Sequence, residues 1–386
     1  MSSLYVFNPE NDIALATMSP YYSAPKNALA FRTCCASLPW VVAGSDDYVL
    51  VESLPPRSWL EQTEKMFGAV AKFVTSADNP SIDRIVPWGW SPALKQTLTQ
   101  RGARLELLPS DRKLIDIREL THRRTALLIN KMLASAGLNV PPEAVEAVDE
   151  TDIKEYIARH DRIVLKAPFS SSGRGVADSA ALSREMFVRR AVGVIARQGS
   201  VMLEPWLDRQ LDFAMLFEVK ADRVAFVGLS RFLNCRMGSY EGNLVARQSV
   251  HRDAIEKYIG SETIGRVVDA LESVLGDVLI GQYEGYCGVD MMIYRGDRGE
   301  MKLAPCIELN LRMTMGVVAA CLAERLFEQD SIARLMPEPA SLKSDDMELL
   351  MRSDWRSGQS PLKQTAVICN LTPPSVFTQL LSKIQD

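Results

Sequence analysis

The chain has 386 residues, of which 47% are hydrophobic and 24% are charged, a composition typical of a globular protein with two or three domains. Its formal net charge of −4 excludes the overall basic surface expected of a nucleic-acid-binding protein. No stretch approaches the roughly 18 apolar residues that a membrane span requires, and the first residues lack the regions of a signal peptide, so neither nucleic acid nor a membrane is expected as a partner.

Residues 1–115 alternate predicted strands with predicted helices. The strands are expected at 3–8, 47–53, 83–90 and 103–109, and the helices at 59–74 and 91–102. Ser91 and Pro92 are typical of a helix start, and Gly102 is typical of a helix end. Strands that alternate with helices predict a parallel α/β sheet for this part of the chain.

A different pattern begins at Thr121. The segment 121–137 predicts a helix that is capped by Thr121 and ended by Gly137. Further helices are predicted at 153–160, 181–199 and 262–279, strands at 161–168, 201–207, 211–220 and 223–233, and a strand hairpin at 285–311. Because strands dominate from Val201 onward, the middle and end of the chain are expected to be α+β with an antiparallel sheet.

The hairpin carries unusual charges on one face. Ile307, Leu309 and Leu311 alternate with polar residues, and strict alternation is typical of a β-strand. If the hairpin turns near residue 299, Asp290 lies opposite Glu308, and directly opposed carboxylates repel each other.

A divalent cation would reverse that repulsion. Mg²⁺ prefers oxygen ligands, and Asp290, Glu308 and Asn310 supply them, while Arg312 could meet negative charge on a substrate. The alternative is a solvated sheet face with incidental charges.

Two other segments contain candidate ligand-binding groups. Lys166 ends a predicted strand before a loop in which Gly173 and Gly175 allow close backbone approach, so the loop could hold phosphate, although a plain turn is the alternative. Further on, Pro205 interrupts a strand, and the backbone at 205–207 is therefore expected to lack ladder hydrogen bonds. This hinge could bind a base, with Glu204 as a hydrogen-bond acceptor, or it could be a bulged edge strand.

In chain order these motifs resemble the ATP-grasp superfamily, which includes D-alanine–D-alanine ligase, biotin carboxylase and carbamoyl phosphate synthetase. The resemblance covers about residues 120–328. It implies an N-terminal parallel α/β domain followed by a two-subdomain ATP-grasp fold, with ATP and Mg²⁺ (or Mn²⁺) as cofactors. The expected divisions are 1–115 for the N-terminal domain, 116–200 and 201–330 for the two ATP-grasp subdomains, and 331–386 for a C-terminal extension.

The resemblance also implies a role for each motif residue. Asp212 stands where the family usually has a ribose-binding Glu, and Arg312 matches the arginine of an E-x-N-x-R motif. The implied ligands of ATP are Arg123, Lys166, Ser172, Gly173, Glu204, Trp206, Leu207 and Asp212; those of the metal are Asp290, Glu308 and Asn310; and the catalytic residues are Lys166 and Arg312.

One departure from the family pattern concerns the basic helix start. Family members commonly have Asp-Lys about eleven residues before the helix-ending Gly, whereas Arg123 and Arg124 lie fourteen and thirteen residues before Gly137. Which of the two arginines contacts phosphate stays open. Arg236 and Arg247 lie in a polar loop that could close over the phosphates or be a surface hairpin.

The N-terminal domain offers candidate substrate-binding residues. Ligands of open α/β sheets bind outside the carboxyl ends of the strands. Asn8, Glu10 and Asp12 follow the first strand and could bind an amine-bearing substrate, or they could form a purely structural turn. Trp88 or Trp90 could pack on that substrate, or both could be buried.

The resemblance implies an ATP-dependent carboxylate–amine (or thiol) ligase that forms an acyl phosphate and transfers its acyl group to a nucleophile. The alternatives are an ATP-grasp kinase that phosphorylates a hydroxyl and a nucleotide-binding protein without turnover. The expected partners are a small carboxylate and an amine or thiol, and the chain could form a homodimer. Seven cysteines without a C-x-x-C pair favour reduced thiols and a cytoplasmic protein.

Overall fold

The computed structural model describes residues 2–170, 175–234, 240–326, 332–337, 347–352 and 366–371. Three sheets and their flanking helices make up this part of the chain. The strands are β1 (Ser2–Val6), β2 (Tyr48–Leu50), β3 (Lys72–Val74), β4 (Ile82–Pro87), β5 (Val145–Ala147), β6 (Ile163–Lys166), β7 (Val176–Asp178), β8 (Val201–Pro205), β9 (Asp208–Val219), β10 (Val224–Asn234), β11 (Tyr240–Val245), β12 (Gly285–Arg295), β13 (Met301–Asn310), β14 (Ile332–Pro337), β15 (Met347–Arg352) and β16 (Ala366–Leu371). The helices are α1 (Asn11–Thr17), α2 (Lys26–Cys34), α3 (Arg57–Phe67), α4 (Pro92–Gln100), α5 (Asp111–Thr121), α6 (Arg124–Ser135), α7 (Glu150–Arg159), α8 (Arg184–Gln198), α9 (Gln248–Ile259), α10 (Ser261–Leu279) and α11 (Met315–Leu326).

The N-terminal sheet has the strand order β3-β2-β1-β4, and the pairs are parallel, as the alternation of strands and helices predicts. Ser91 caps α4 by accepting a hydrogen bond from the Leu94 N–H. The predicted helix at 59–74 is too long, because α3 ends at Gly68, whose φ of 79° breaks the helix, and β3 follows. The predicted strand at 103–109 is wrong: Leu105 is exposed, and a short 3-10 helix forms at Leu105–Leu107.

The predicted helix at 121–137 is two helices. Ser110 caps α5 by accepting a hydrogen bond from the Lys113 N–H, so Thr121 ends a helix and does not begin one. The chain is extended at His122 (φ −59°, ψ 133°) and turns into α6 directly afterwards. This break leaves Arg123 buried at the start of α6 instead of exposed on a continuous helix surface.

A small antiparallel sheet follows, with the order β5-β8-β6-β7. Helices α7 and α8 cover it, and its core includes Ile153, Leu165, Phe187 and Leu203. Since β8 belongs to this sheet, the sheet extends to Pro205, past the expected division at residue 200. The residues between β8 and β9 therefore connect two different sheets.

Within the described residues, the large sheet has the order β13-β12-β9-β10-β11-β14-β16-β15 and antiparallel pairs. Helices α6, α9 and α10 pack on one face around Phe213, Met215 and Val289. On the other face, Leu216 of β9 and Val317, which belongs to α11, share a core with residues of the N-terminal domain. Strands β14, β15 and β16 come from the expected C-terminal extension, so this region adds strands to the sheet. None of the described helices has the length and apolar character needed to cross a membrane.

Candidate functional site

The β12–β13 hairpin brings two carboxylates face to face. Asp290 pairs with Glu308 and Gly288 pairs with Asn310, which is the register that the hairpin predicts. Burial, followed by the negative charge of Glu308, raises the pKa of Asp290 to about 7. Burial would also raise the pKa of Glu308, but the charge and hydrogen bonds of Arg123 outweigh it and lower that pKa. Asp290 is therefore only about half ionised at neutral pH beside an ionised Glu308, and a bound cation would favour the fully ionised pair.

The oxygen atoms of this pair fit a hard divalent cation. Asp290 and Glu308 supply carboxylate oxygens, and Asn310, two positions after Glu308, has a side chain that hydrogen-bonds to Asp290 and an amide oxygen that accepts from Arg312. Among the described residues, no group of three or more acidic, histidine or cysteine side chains could hold a metal ion. Mg²⁺ commonly binds through one or two carboxylates and completes its coordination with water and substrate phosphates, so two carboxylates suffice.

Arg123 binds directly to one of these carboxylates. Its Nη2 lies 2.8 Å from both Oε1 and Oε2 of Glu308, and its Nη1 donates to the Ala167 carbonyl (2.7 Å) and to Ser170 Oγ (2.8 Å). Arg124 instead pairs with Glu119 and Glu146 outside this cluster. Of the two arginines that the sequence leaves as alternatives, Arg123 is the one that the fold directs to the carboxylates.

Arg312 connects the hairpin with the N-terminal domain. Its Nε lies 3.0 and 2.9 Å from the two carboxylate oxygens of Asp12, and its Nη2 donates to Asn310 Oδ1 at 2.9 Å. Burial would lower the pKa of Arg312, but the Asp12 carboxylate outweighs it and raises that pKa. The structure thus brings together a predicted catalytic residue and a predicted substrate residue as an ion pair.

Lys166 lies on the small sheet, opposite the hairpin cluster. Its Nζ is 2.6 Å from Glu204 Oε2, across the neighbouring strands β6 and β8. Its charge also contributes to the lowered pKa of Glu308. The two residues predicted to hold phosphate and base are therefore adjacent, and their side chains neutralise each other.

The loop after β6 is fastened at its base. The Ala167 N–H donates to the Gly175 carbonyl at 2.8 Å. Gln198, which sequence reasoning missed, accepts from the Phe169 N–H (2.9 Å) and donates to the Phe169 carbonyl (3.1 Å). Ser172 and Gly173, predicted to contact phosphate, lie outside the described residues, as does Arg236.

The predicted hinge is partly bonded to its neighbour. The Trp206 N–H donates to the Arg162 carbonyl at 3.0 Å, so the expectation that this backbone is free of such bonds is wrong for Trp206. The cause is local, since the Arg162 guanidinium stacks 3.9 Å from the centroid of the Trp206 ring and holds the segment against β6. Leu207 completes the connection between the two sheets.

Asp212 and Arg247 have different surroundings. Asp212 lies on β9 opposite Met292, pairs with Arg209 at 3.0 Å, and contributes to the raised pKa of Asp290. It therefore faces the carboxylate pair. Arg247 lies half-buried directly before α9, after β11.

A buried histidine supports Arg123, and sequence reasoning missed it. His122 Nδ1 accepts from the Arg124 N–H at 3.1 Å, and its Nε2 lies 3.3 Å from Ser200 Oγ and 3.4 Å from Glu146 Oε1. Burial, followed by the charge of Arg124, lowers the pKa of His122 to about 4. The ring is therefore neutral and joins the start of α6 to the small sheet.

The predicted substrate residues of the N-terminal domain are divided among different contacts. Asn8 Nδ2 donates to the Gly89 carbonyl at 2.7 Å and joins the ends of β1 and β4. Glu10 pairs with Arg32 at 2.6 Å. Trp88 is buried, and its ring lies 4.7 Å from that of Phe7, so it belongs to the core and does not offer a surface to a ligand.

No family model matches the sequence, and a search of curated proteins finds no match. Solved structures do match. N5-carboxyaminoimidazole synthetase from Staphylococcus aureus, complexed with ADP, is 13% identical with a TM-score of 0.51, over 100% of this chain and 97% of that chain. Biotin carboxylase from Campylobacter jejuni, in a β-γ-ATP complex, is 11% identical with a TM-score of 0.53, over 96% of this chain and 87% of that chain.

A third similar structure is the biotin carboxylase domain dimer of the Hydrogenobacter thermophilus 2-oxoglutarate carboxylase, in complex with MgADP, ADP and bicarbonate. It is 11% identical with a TM-score of 0.50, over 96% of this chain and 86% of that chain. These identities are low, so the similarity concerns the fold, and it extends over nearly the whole of each chain. The chain has the ATP-grasp fold that its motifs predict, with an α/β domain ahead of it.

Proposed function

We propose that the protein is an ATP-dependent carboxylate–amine (or thiol) ligase. A substrate carboxylate would take the γ-phosphoryl group of ATP, and an amine or thiol would then displace phosphate from the resulting acyl phosphate. The observation that carries the proposal is the convergence of Arg123, Lys166 and Arg312 around the Asp290–Glu308 pair. Such sites act mainly by positioning and by neutralising charge, which these residues can do.

The proposed roles are those that the resemblance implies, and the contacts of Arg123, Lys166 and Arg312 support them. Arg123 and Lys166 hold phosphate oxygens, together with the loop that contains Ser172 and Gly173. Glu204, Trp206 and Leu207 hold the base, and Asp212 holds the ribose. Mg²⁺ (or Mn²⁺), held by Asp290, Glu308 and Asn310, would neutralise charge on the phosphates. Arg312 stabilises charge at the reacting carboxylate. The ligands named for the similar structures, ADP, MgADP and a β-γ-ATP complex, support this nucleotide assignment.

A coupled assay tests the reaction class. The protein is incubated with Mg-ATP and pools of small carboxylates and amines, and ADP and free phosphate are measured separately. The ligase proposal expects both products in equal amounts and only when a carboxylate is present. Phosphate that stays attached to a product would identify a kinase instead. If Mg-nucleotide does not raise the melting temperature, the nucleotide site itself is contradicted.

Two variants make the assay specific. Glu308→Gln removes one carboxylate of the pair and should abolish phosphate release. Glu300→Gln is the matched control, because Glu300 lies in the turn of the same hairpin, where it pairs with Lys302 at 2.8 Å and accepts from the Arg298 N–H at 3.0 Å, away from the Asp290–Glu308 pair. It should retain activity.

We also propose an oligomeric state and a cellular location for this chain. One similar structure is described as a dimer, so a homodimer is proposed here, and light scattering of the purified protein tests it. A cytoplasmic location is the other, and fractionation of the source cells tests it.

A further inference from the structure

A cavity lies in the N-terminal domain. It has a volume of about 100 Å³ and is lined by residues that follow β1, β2 and β4. In the order β3-β2-β1-β4, the chain leaves β1 for β2 on one side and later returns to place β4 on the other. Ligands of open parallel sheets bind in the crevice at such a switch point, outside the carboxyl ends of the strands.

Two polar atoms in this cavity's lining lack hydrogen-bond partners. Glu10 is only 8% exposed, and its Oε1 pairs with Arg32, but its Oε2 has no hydrogen-bond partner among the described residues. The Tyr22 hydroxyl is also buried and also lacks one within the described part of the chain. A buried polar atom without a hydrogen bond costs free energy, and a carboxylate oxygen costs more than a neutral one. A ligand that donates hydrogen bonds would remove this cost.

The neighbouring predicted substrate residues are already engaged. Asn8 holds Gly89, and Asp12 holds Arg312. Of the three, only Glu10 keeps an unused acceptor. Asp12 comes two positions after Glu10, so the cavity is joined through the first residues of α1 to the arginine of the reaction site.

We propose that this cavity binds the ammonium group of a small primary amine, with Glu10 Oε2 and Tyr22 Oη accepting its hydrogen bonds. The rest of the lining is mixed. Arg32 (which pairs with Glu10), Arg101 and Glu52 carry charge, and Phe7, Ala36, Leu94 and Leu98 form an apolar part on which the carbon portion of the amine packs. A thiol is disfavoured, because its S–H is a weak hydrogen-bond donor, whereas an ammonium group donates three hydrogen bonds to acceptors such as Glu10 Oε2. The inference rests on the proposed ligase function and selects its amine alternative.

The transfer that this amine would undergo is balanced without a further reactant. The ammonium loses one proton, and the nitrogen lone pair forms the C–N bond with the acyl carbon. The C–O bond to phosphate breaks, and phosphate leaves with the bonding electrons. The nitrogen then loses a second proton, which gives the amide.

Thermal melting of the full chain with Mg²⁺ and a non-hydrolysable ATP analogue tests the subsite. The probes are methyl-, ethyl- and propylammonium chloride, with ethanol and ethanethiol as neutral and thiol counterparts of similar size. We expect at least one alkylammonium to raise the melting temperature with saturation, and neither ethanol nor ethanethiol to do so. No response to any alkylammonium, or a stronger response to the thiol, would overturn the inference.

Three variants locate the effect. Glu10→Gln should weaken the alkylammonium response at least tenfold, and Tyr22→Phe, which removes one hydroxyl group, should weaken it severalfold. Glu61→Gln is the matched control, because Glu61 is an exposed carboxylate on α3 that pairs with Arg57 and does not line the cavity, and it should respond like the wild type. An unchanged response in both Glu10→Gln and Tyr22→Phe contradicts the subsite.

The nucleotide analogue separates this inference from the proposed function. If the analogue with Mg²⁺ stabilises the wild type and Glu10→Gln equally while only the wild type responds to alkylammonium, both proposals are supported. If the analogue stabilises neither protein, the proposed function fails, and the alkylammonium response alone then decides whether the cavity is an amine site.

Discussion

Arg123 places one guanidinium nitrogen 2.8 Å from each carboxylate oxygen of Glu308, and the two residues are 185 positions apart in the chain. Arg123 is buried and Glu308 is partly buried, in a cluster that also contains Asp290. This ion pair uses the same two oxygen atoms that are proposed to hold Mg²⁺. When no metal or nucleotide is bound, the guanidinium therefore supplies the positive charge that balances the Glu308 carboxylate.

Arg123→Met should destabilise the protein by about 3–5 kcal/mol, because it leaves Glu308 buried without its cation. Mg²⁺ should recover part of this loss, and it should raise the melting temperature of the variant more than that of the wild type. Without nucleotide, the site is expected to bind Mg²⁺ with an affinity on the order of millimolar. Melting curves recorded with and without about 5–10 mM Mg²⁺ therefore check this prediction. Arg124→Met is the matched control: its pairs are partly exposed, so a loss of about 0–1 kcal/mol is expected. Equal Mg²⁺ responses in all three proteins would contradict the shared-site interpretation.

Asp290→Asn should stabilise the protein at pH 8 and remove part of its pH dependence. The pKa of Asp290 is raised to about 7, so between the ordinary carboxyl pKa and pH 7 the folded chain holds a proton that the unfolded chain has lost. The free energy of unfolding contributed by this group therefore falls as pH rises through that range. Urea unfolding of both proteins at pH 5 and pH 8 checks the sign. If the difference in unfolding free energy between the wild type and Asp290→Asn is the same at both pH values, the raised pKa is contradicted.

His122 should produce the opposite slope at acidic pH. Its pKa is lowered to about 4, so from the ordinary histidine pKa down to pH 4 the unfolded chain binds a proton that the folded chain does not. Stability from this group is therefore present at neutral pH and is lost as pH falls through that window. His122→Gln should flatten the slope of unfolding free energy between pH 4 and 6.5 by up to about 1.4 kcal/mol per pH unit.

His251 provides an independent comparison for the histidine effect. It is 2% exposed, and burial, followed by the charge of Arg231, lowers its pKa to about 4 as well. His251→Gln should flatten the same slope, and the double variant should flatten it further. If neither single variant changes the slope, the lowered pKa values are contradicted.

The sequence predicts the hairpin chemistry because the relevant information is local. Alternation over 306–312 assigns the polar face, and one turn near residue 299 then determines that Asp290 lies opposite Glu308. The Lys166 strand is predicted for the same reason, since it rests on a short local pattern. The fold class is also predicted, since it rests on the order of such patterns along the chain.

The contacts that sequence reasoning missed are those that depend on a helix break or a distant partner. Residues 121–125 contain no apolar residue, so apolar spacing could not locate the break at His122 that buries Arg123 and directs it to Glu308. The Asp12–Arg312 pair joins residues 300 positions apart. Tyr22 belongs to the cavity only because the chain after α1 folds back over the end of β1.

Asp12→Asn should loosen the N-terminal domain from the large sheet. Arg312 is mostly buried, and loss of its carboxylate partner should cost about 3–5 kcal/mol. Hydrogen exchange should become faster in Asn11–Thr17, the helix that carries Asp12, and in the segment around Arg312. Asp46→Asn is the matched control, because that exposed carboxylate lies 3.8 Å from Lys72. Its loss should lower the free energy of unfolding by only about 0–1 kcal/mol. Unchanged exchange in Asp12→Asn would contradict a connecting role for the pair.

Gly175→Ala should weaken nucleotide binding while the fold persists. An added Cβ would lie 2.5 Å from Ser170 Cβ and 2.9 Å from Ala167 Cβ, so the base of the loop after β6 must shift. The shift disturbs Ser170 and the Ala167 carbonyl, which both bind Arg123. We expect at least a tenfold loss of Mg-nucleotide affinity by calorimetry, with circular dichroism unchanged. Gly265→Ala is the matched control: Gly265 lies within α10 with open space around its Cβ position, so this change should add up to about 1 kcal/mol of stability and leave affinity unaltered. Wild-type affinity in Gly175→Ala would show that the loop base does not position the phosphate-binding groups.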